Sequence, residues 1–242
     1  GVTLPGLPFM VIGSNGHIAW GLTDGYVDTG DLVQVNVNAI DHALYKIPGR
    51  DDLIPIEKRT DVIRVKGGDP VTLVTDWTAW GPIVGADSRT RPLAFHWIAH
   101  DPAATNFEYL QLESAQTASE AVAIAHRAGM PAHNFVVADS AGAIAWTIIG
   151  RLPKRVGFDG RLPTSWGYGD RRWDGFLPPD EVPTLISPPS GRIWSANNRA
   201  VGGAALALLG DGGYAAPPRA AQIRDDLAPR EKATPRDLLA IQ

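Results

Sequence analysis

Residues 13–31 read Gly-Ser-Asn-Gly-His-Ile-Ala-Trp-Gly-Leu-Thr-Asp-Gly-Tyr-Val-Asp-Thr-Gly-Asp. The polar turn Ser14-Asn15-Gly16 lies between two apolar stretches, 9–12 and 17–21, and that pattern predicts a β-hairpin. A glycine-broken, acid-rich loop follows at once. Such a loop turns backbone N–H groups and carboxylates toward something other than its own fold.

Outward from this stretch the chain reads as strands joined by tight turns. Leu32-Val33-Gln34-Val35-Asn36-Val37-Asn38 alternates apolar and polar residues, the mark of a half-buried strand. Further strands are predicted at 61–65, 71–76 and 93–98, and residues 107–112 suit a short helix or a strand. Residues 119–128 carry Ala121, Val122, Ile124 and Ala125 at helical spacing, with Thr117 or Ser119 as the cap. Residues 135–138 and 143–149 predict a second hairpin across Asp139-Ser140-Ala141-Gly142. From 151 to 190 the chain is rich in Pro, Gly and Trp without periodicity, and a long ordered crossing loop is expected. Trp166, Trp173, Phe176 and Leu177 must bury against something there. A short strand is expected at 193–196, a helix at 219–227, and a last helix at 235–242 capped by Thr234.

Composition narrows the function classes. The 242 residues are 44% hydrophobic and 20% charged, ordinary for a globular protein able to bury a sizeable core. The 26 glycines and 20 prolines are spread along the chain, as many strands with tight turns require. A net charge of -4 gives no basic footprint for nucleic acid, and no polybasic segment addresses an anionic membrane. No apolar run approaches the ~20 residues of a membrane span. The absence of cysteine removes disulfides, thiolate metal sites and a thiol nucleophile together.

Few residues announce chemistry by themselves. His17, His42, His96, His100, His126 and His133 stand at unrelated spacings and read as ordinary surface or core residues. There is no His-x-x-x-His pair, no phosphate-binding Gly-x-x-x-x-Gly-Lys and no Gly-x-Ser-x-Gly elbow. Asp28-Thr29-Gly30-Asp31 places two carboxylates around a glycine, which suits a hard, oxygen-preferring cation or equally a solvated turn. Asn197-Asn198-Arg199 offers an amide that can donate to a developing oxyanion, or a turn held by its own side chains.

Taken together, these segments resemble the β-subunit of the penicillin acylase (penicillin amidase) family of N-terminal nucleophile hydrolases. The resemblance runs in order through Pro5-Gly6-Leu7-Pro8-Phe9, the hairpin at 13–21 and the loop at 23–31. It continues through Trp80-Gly81-Pro82-Ile83-Val84, Asn134-Phe135-Val136-Val137-Ala138-Asp139, Gly142, Gly150, Pro153 and Arg161-Leu162-Pro163. It closes with Trp173-Asp174-Gly175-Phe176-Leu177-Pro178, Ser187-Pro188-Pro189-Ser190-Gly191 and Ser195-Ala196-Asn197-Asn198-Arg199. Ser14 and Trp80 stand where many members carry His.

The resemblance implies an α+β fold, part of the four-layered αββα sandwich with stacked antiparallel sheets and flanking helices. It makes residues 1–242 a single partial domain, an internal piece of an acylase β-subunit. In such proteins a precursor cuts itself and leaves a Ser whose own α-amino group serves as base. That Ser is expected outside this chain, so no internal Ser is nominated as nucleophile. The implied partners are the α-subunit, the rest of the β-subunit and a small-molecule amide, with a bacterial periplasmic or secreted location. Acyl-homoserine lactones and lipopeptides are the other substrate classes. A catalytically inactive, cation-stabilised scaffold is the competing reading.

Site residues carry over by position. The oxyanion hole maps to the Asp24 backbone N–H and to Asn197. A family arginine maps to Arg219, either electrostatic and orienting or a buried ion-pair partner. A structural Ca²⁺ maps to the carboxylates of Asp28 and Asp31 and the carbonyls of Gly30 and Gly160. One further acidic ligand falls at Leu208, with Asp211 nearby as a substitute; another would come from the α-subunit.

Overall fold

In the computed structural model, which describes residues 1–241, the first hairpin forms a few residues later than its sequence pattern predicts. The strands are β1 (Gly13–Ser14), β2 (Ile18–Asp24), β3 (Gly30–Gln34), β4 (Leu44–Tyr45), β5 (Ile54–Pro55), β6 (Glu57–Ile63), β7 (Val71–Thr78) and β8 (Gly81–Ala86). They continue with β9 (Pro92–Trp97), β10 (His133–Asp139), β11 (Ile144–Ile149), β12 (Pro153–Val156), β13 (Thr164–Ser165), β14 (Arg172–Phe176) and β15 (Thr184–Ile186). The α-helices are α1 (Ala118–Ala125), α2 (Gly203–Leu209), α3 (Pro218–Leu227) and α4 (Pro235–Leu239). The chain divides into two compact units: Gly1–Asp28, Pro102–Leu152 and Phe176–Gln242 form the first, Thr29–Asp101 and Pro153–Gly175 the second.

The first unit is built on the antiparallel sheet β1-β2-β10-β11-β15. Asn15 explains the displaced hairpin. Its Oδ1 accepts from the N–H groups of His17 and Ile18, both at 2.9 Å, and its Nδ2 donates to the carbonyls of Leu112 and Ala115. The turn is thereby fixed at 15–17, while Phe9 and Met10 pack on the core instead of pairing as a strand. Ile18, Trp20, Phe135, Val137 and Ala145 form one core with Ala118, Ala121, Val122, Ile124 and Ala125 of α1. Trp146 and Ile148, which point the other way along β11, join Val27, Leu152, Leu177, Val182 and Leu209 in a second. Covered on both faces, β11 is apolar throughout except for the buried Thr147. Thr117 caps α1 by accepting the Glu120 N–H at 3.1 Å. Residues 107–112 resolve as a 3₁₀ turn over Glu108–Glu113.

The second unit carries the sheet β13-β3-β9-β8-β7-β6, antiparallel except for β13 on β3. Asp31, Val33 and Val35 point inward, and Val33 and Val35 join Tyr45, Trp80, Ala94 and Trp166 in its core. Gly81 has φ +132°, and a Cβ there would stand 2.2 Å from the Phe95 carbonyl oxygen, so only glycine fits between β7 and β9.

Two expectations are corrected. The stretch 151–190 is not a loop; it contains β12–β15. Pro and Gly cut these strands to two to five residues, too short for a periodic signal. Residues 193–196 form no strand; Ala196 N–H is taken by the Asn198 side chain at 3.0 Å. The last helix forms at 235–239 with the expected Thr234 cap, and Gln242 lies outside the described residues.

His126 closes α1 and is buried; its Nε2 lies 2.8 Å from Thr147 Oγ1. Burial holds its pKa below the usual 6.5. The unfolded chain therefore binds this proton more readily, and stability falls as pH drops below about 6.5. The thermal midpoint should decline between pH 7 and pH 5, and His126→Gln should flatten that decline in a calorimetric pH series. An unchanged slope would show that His126 carries none of it.

Candidate active site

Three of the residues assigned by position meet in the first unit. Asp24 ends β2, and the β2–β10 register sets it opposite His133. Its carbonyl oxygen accepts from Asn197 Nδ2 at 3.2 Å, across 173 residues of sequence. Arg219, at the start of α3, donates through Nη2 to Asn197 Oδ1 and to the Ala196 carbonyl, both at 3.0 Å. An arginine can only donate, so the amide oxygen must face it and the amide nitrogen must face Asp24. One hydrogen of that nitrogen is engaged by the Asp24 carbonyl. The other remains to donate.

Asn197 is held at φ +64°, a left-handed backbone that Asn tolerates better than most residues. Arg219 is exposed, and both of its acceptors are neutral oxygens. No acidic side chain is among these partners.

Asn134, Thr23 and Ser195, which have no role from sequence, join Asp24, Asn197 and Arg219. Asn134, 1% exposed on β10, donates through Nδ2 to the Asp24 carbonyl at 2.9 Å and to Thr23 Oγ1 at 3.1 Å. Thr23 Oγ1 and Ser195 Oγ lie 2.8 Å apart. A polar residue sharing the inward face of β10 with Val136 was the signal that could have marked Asn134.

The residues expected to hold a cation divide between the units. In the second, the Asp31 carboxylate is 3% exposed; its Oδ2 accepts from Arg155 Nε at 2.8 Å and Trp173 Nε1 at 2.5 Å. Its charge is thus already answered by a guanidinium whose side chain is 9% exposed. Trp173 in turn packs on His96 and Trp166, and burial lowers the pKa of His96. Gly160, the expected carbonyl donor, has φ +81°.

In the first unit the Asp28 N–H donates to the Leu209 carbonyl at 2.9 Å, so the end of α2 does approach the Asp28 segment. Position 208 supplies no oxygen from its side chain. The Asp211 carboxylate is engaged by the N–H groups of Gly213 and Tyr214 and by Arg199 at 2.5 Å; the Gly213 N–H foremost, then Arg199, holds its pKa low. Tyr214 Oη is buried with no partner among the described residues, and burial, then the nearby Asp211 charge, pushes its phenol to about 12. Among the described residues no three His, Cys, Asp or Glu side chains gather as a metal cluster. The donors are all oxygens, as Ca²⁺ prefers, but fewer than the six to eight it takes.

The profile of the penicillin amidase family matches residues 1–242. The chain belongs to that family. It is 29% identical over 204 residues to the penicillin acylase 2 proenzyme of Pseudomonas sp. (strain SE83), covering 83% of this chain and 26% of that protein. It is 28% identical over 249 residues to the acyl-homoserine lactone acylase QuiP of Pseudomonas fluorescens (strain Pf0-1), covering 100% of this chain and 30% of that one. The penicillin G acylase of Escherichia coli is 30% identical over 207 residues, 79% of this chain and 22% of its own length. This penicillin amidase family chain therefore spans under a third of these relatives.

A thermostable penicillin G acylase from Alcaligenes faecalis superposes with a TM-score of 0.81 at 21% identity, covering 99% of this chain and 43% of that one. That likeness shows that the chain has the fold of the matching part of that acylase, strands in antiparallel sheets with few helices. Among the described residues no helix is long and apolar enough to cross a membrane.

The buried pair gives a stability test. Arg155→Met leaves the Asp31 carboxylate buried beside an indole alone and should cost about 3–5 kcal/mol. Denaturant titration measures it, and a loss under about 1 kcal/mol would mean that the pair is solvated.

Proposed function

We propose that the protein containing this chain hydrolyses a linear acyl amide, with Asp24 and Asn197 as the oxyanion hole for a Ser nucleophile outside residues 1–242. The observation that carries this reading is the convergence of Asn197, Asp24 and Arg219, with a side-chain N–H left over. The relatives named as penicillin and acyl-homoserine lactone acylases give the reaction class its support.

The chemistry then runs in two halves. The Ser hydroxyl adds to the amide carbonyl while its own α-amino group takes the proton. An amine of pKa near 8 is partly neutral at physiological pH, so the base is available without a histidine. The carbonyl oxygen becomes an oxyanion, and it is this charge that the Asp24 N–H and the spare Asn197 N–H stabilise. Collapse breaks the C–N bond, the amine leaves with a proton, and an acyl-Ser ester remains. Water adds to the ester in the same way and releases the acid. Arg219 keeps the Asn197 amide turned so that nitrogen, not oxygen, faces the developing charge.

The same reading carries the α-subunit of a self-cleaving precursor as partner, a periplasmic or secreted bacterial location and a structural calcium ion. Asp28 and Asp31 would hold the ion through carboxylates and Gly30 and Gly160 through carbonyls, and its contribution would be to neutralise acidic charge. With Leu208 in place of an acid and Arg155 on Asp31, the site is proposed as a weak one.

Two measurements test this. Asn197→Asp keeps a residue that tolerates the left-handed backbone but removes both N–H donors. In the complete enzyme kcat on a chromogenic phenylacetyl or fatty-acyl anilide should fall about 10²–10³-fold with KM little changed. Activity near the wild-type level would sink the assignment. For the metal, protein desalted from millimolar calcium should hold well under one ion per chain by elemental analysis, with a melting temperature that rises when calcium is restored. No shift at any calcium concentration would remove the site.

A further inference from the structure

We infer that Asn134 is a positioning residue for the oxyanion hole, with its amide set in direction by the Trp146 indole; the inference rests on the reading of Asp24 and Asn197 as the two donors. Asn134 is 1% exposed and Trp146 1% exposed. Trp146 Nε1 donates to Asn134 Oδ1 at 3.0 Å. An indole N–H has no acceptor capacity, so the amide atom facing it is the oxygen, and the nitrogen is compelled to face Thr23 and Asp24. Both amide hydrogens then have acceptors, Thr23 Oγ1 at 3.1 Å and the Asp24 carbonyl at 2.9 Å.

The contacts fall on either side of one peptide bond. Thr23 is held through its side chain, which also meets Ser195 Oγ at 2.8 Å. Asp24 is held through its carbonyl. The peptide whose N–H is assigned to the oxyanion lies between these two anchors, so Asn134 restricts the torsions on both sides of it. The Asp24 carbonyl also accepts from Asn197 Nδ2 at 3.2 Å. One oxygen thereby fixes both donors of the hole against a single buried amide. The β2–β10 register, which sets Asn134 directly opposite Thr23, makes this reach possible.

A residue acting this way stabilises the transition state more than the bound substrate. Its loss should therefore lower kcat and leave KM nearly unchanged. Asn134→Asp keeps the shape and removes both donors. In the complete, correctly processed enzyme kcat should drop about tenfold or more, with KM within about threefold, at a temperature well below the measured melting point. Trp146→Phe keeps the packing and frees the amide to turn; it should give a smaller kcat loss in the same pattern. This second variant decides the matter if Asn134→Asp does not fold.

Folded variants with kcat within twofold of wild type would overturn the positioning role. So would a rise in KM alone, which is what a general loosening of the site gives. Asn197→Asp, run beside them, separates the two claims. If it abolishes turnover while both positioning variants stay active, only the role of Asn134 fails. If it leaves turnover intact, the oxyanion reading fails and the role of Asn134 with it.

Discussion

The first unit hangs on one buried side-chain amide. Asn134 sits in the middle strand of a sheet whose neighbours at 135, 137, 146 and 148 are apolar and almost wholly enclosed. An unsatisfied amide there would cost roughly 1–3 kcal/mol for each unmade bond. The sheet avoids that penalty only in one arrangement, with the indole of Trp146 behind the oxygen and the end of β2 before the nitrogen. Register, rotamer and the course of residues 23–24 are thus a single choice. A one-residue slip of β10 on β2 would turn Asn134 to the opposite face, toward Trp20 and α1, and turn Phe135 and Val137 away from that core.

The second unit shows the same economy with a charge instead of an amide. Asp31 alternates inward with Val33 and Val35, so the strand pattern itself buries a carboxylate. Desolvation of a lone carboxylate is costly, and Arg155 with the Trp173 indole answers it. Trp173 then packs against His96 and Trp166, which ties the polar pair to the aromatic core. Read as a cation ligand, Asp31 is partly spoken for by its own fold.

What could be read from sequence divides along physical lines. Alternation and helical spacing are local, so the strands near 32, 71, 93, 135 and 144 and the helix after Thr117 were legible within a few residues. The four short strands between 153 and 186 were not, because Pro and Gly leave each too few residues to show a period. The first hairpin was misplaced because the deciding contacts come from Leu112 and Ala115, about a hundred residues away. The candidate site followed the same rule. Asp24, Asn197 and Arg219 were found by position within a family pattern. Asn134 belongs to the same pattern without a role of its own there, since only the register reveals what it touches. Arg155 passed unnoticed because its partner lies 124 residues earlier.

The backbone at Asn197 completes the logic of the site. A left-handed residue carries a cost for most side chains, and here it is met by a residue whose amide has both a fixed acceptor side and a fixed donor side. Arg219 defines the first and the Asp24 carbonyl the second. The Asp24 carbonyl is itself held by Asn134, so the direction of the Asn197 amide depends on an atom that the buried amide controls. A hole built from flexible donors would have to reorganise as charge develops. In the proposed oxyanion hole the donors are already fixed by hydrogen bonds made on folding, and such preorganisation is what makes donors effective in a transition state.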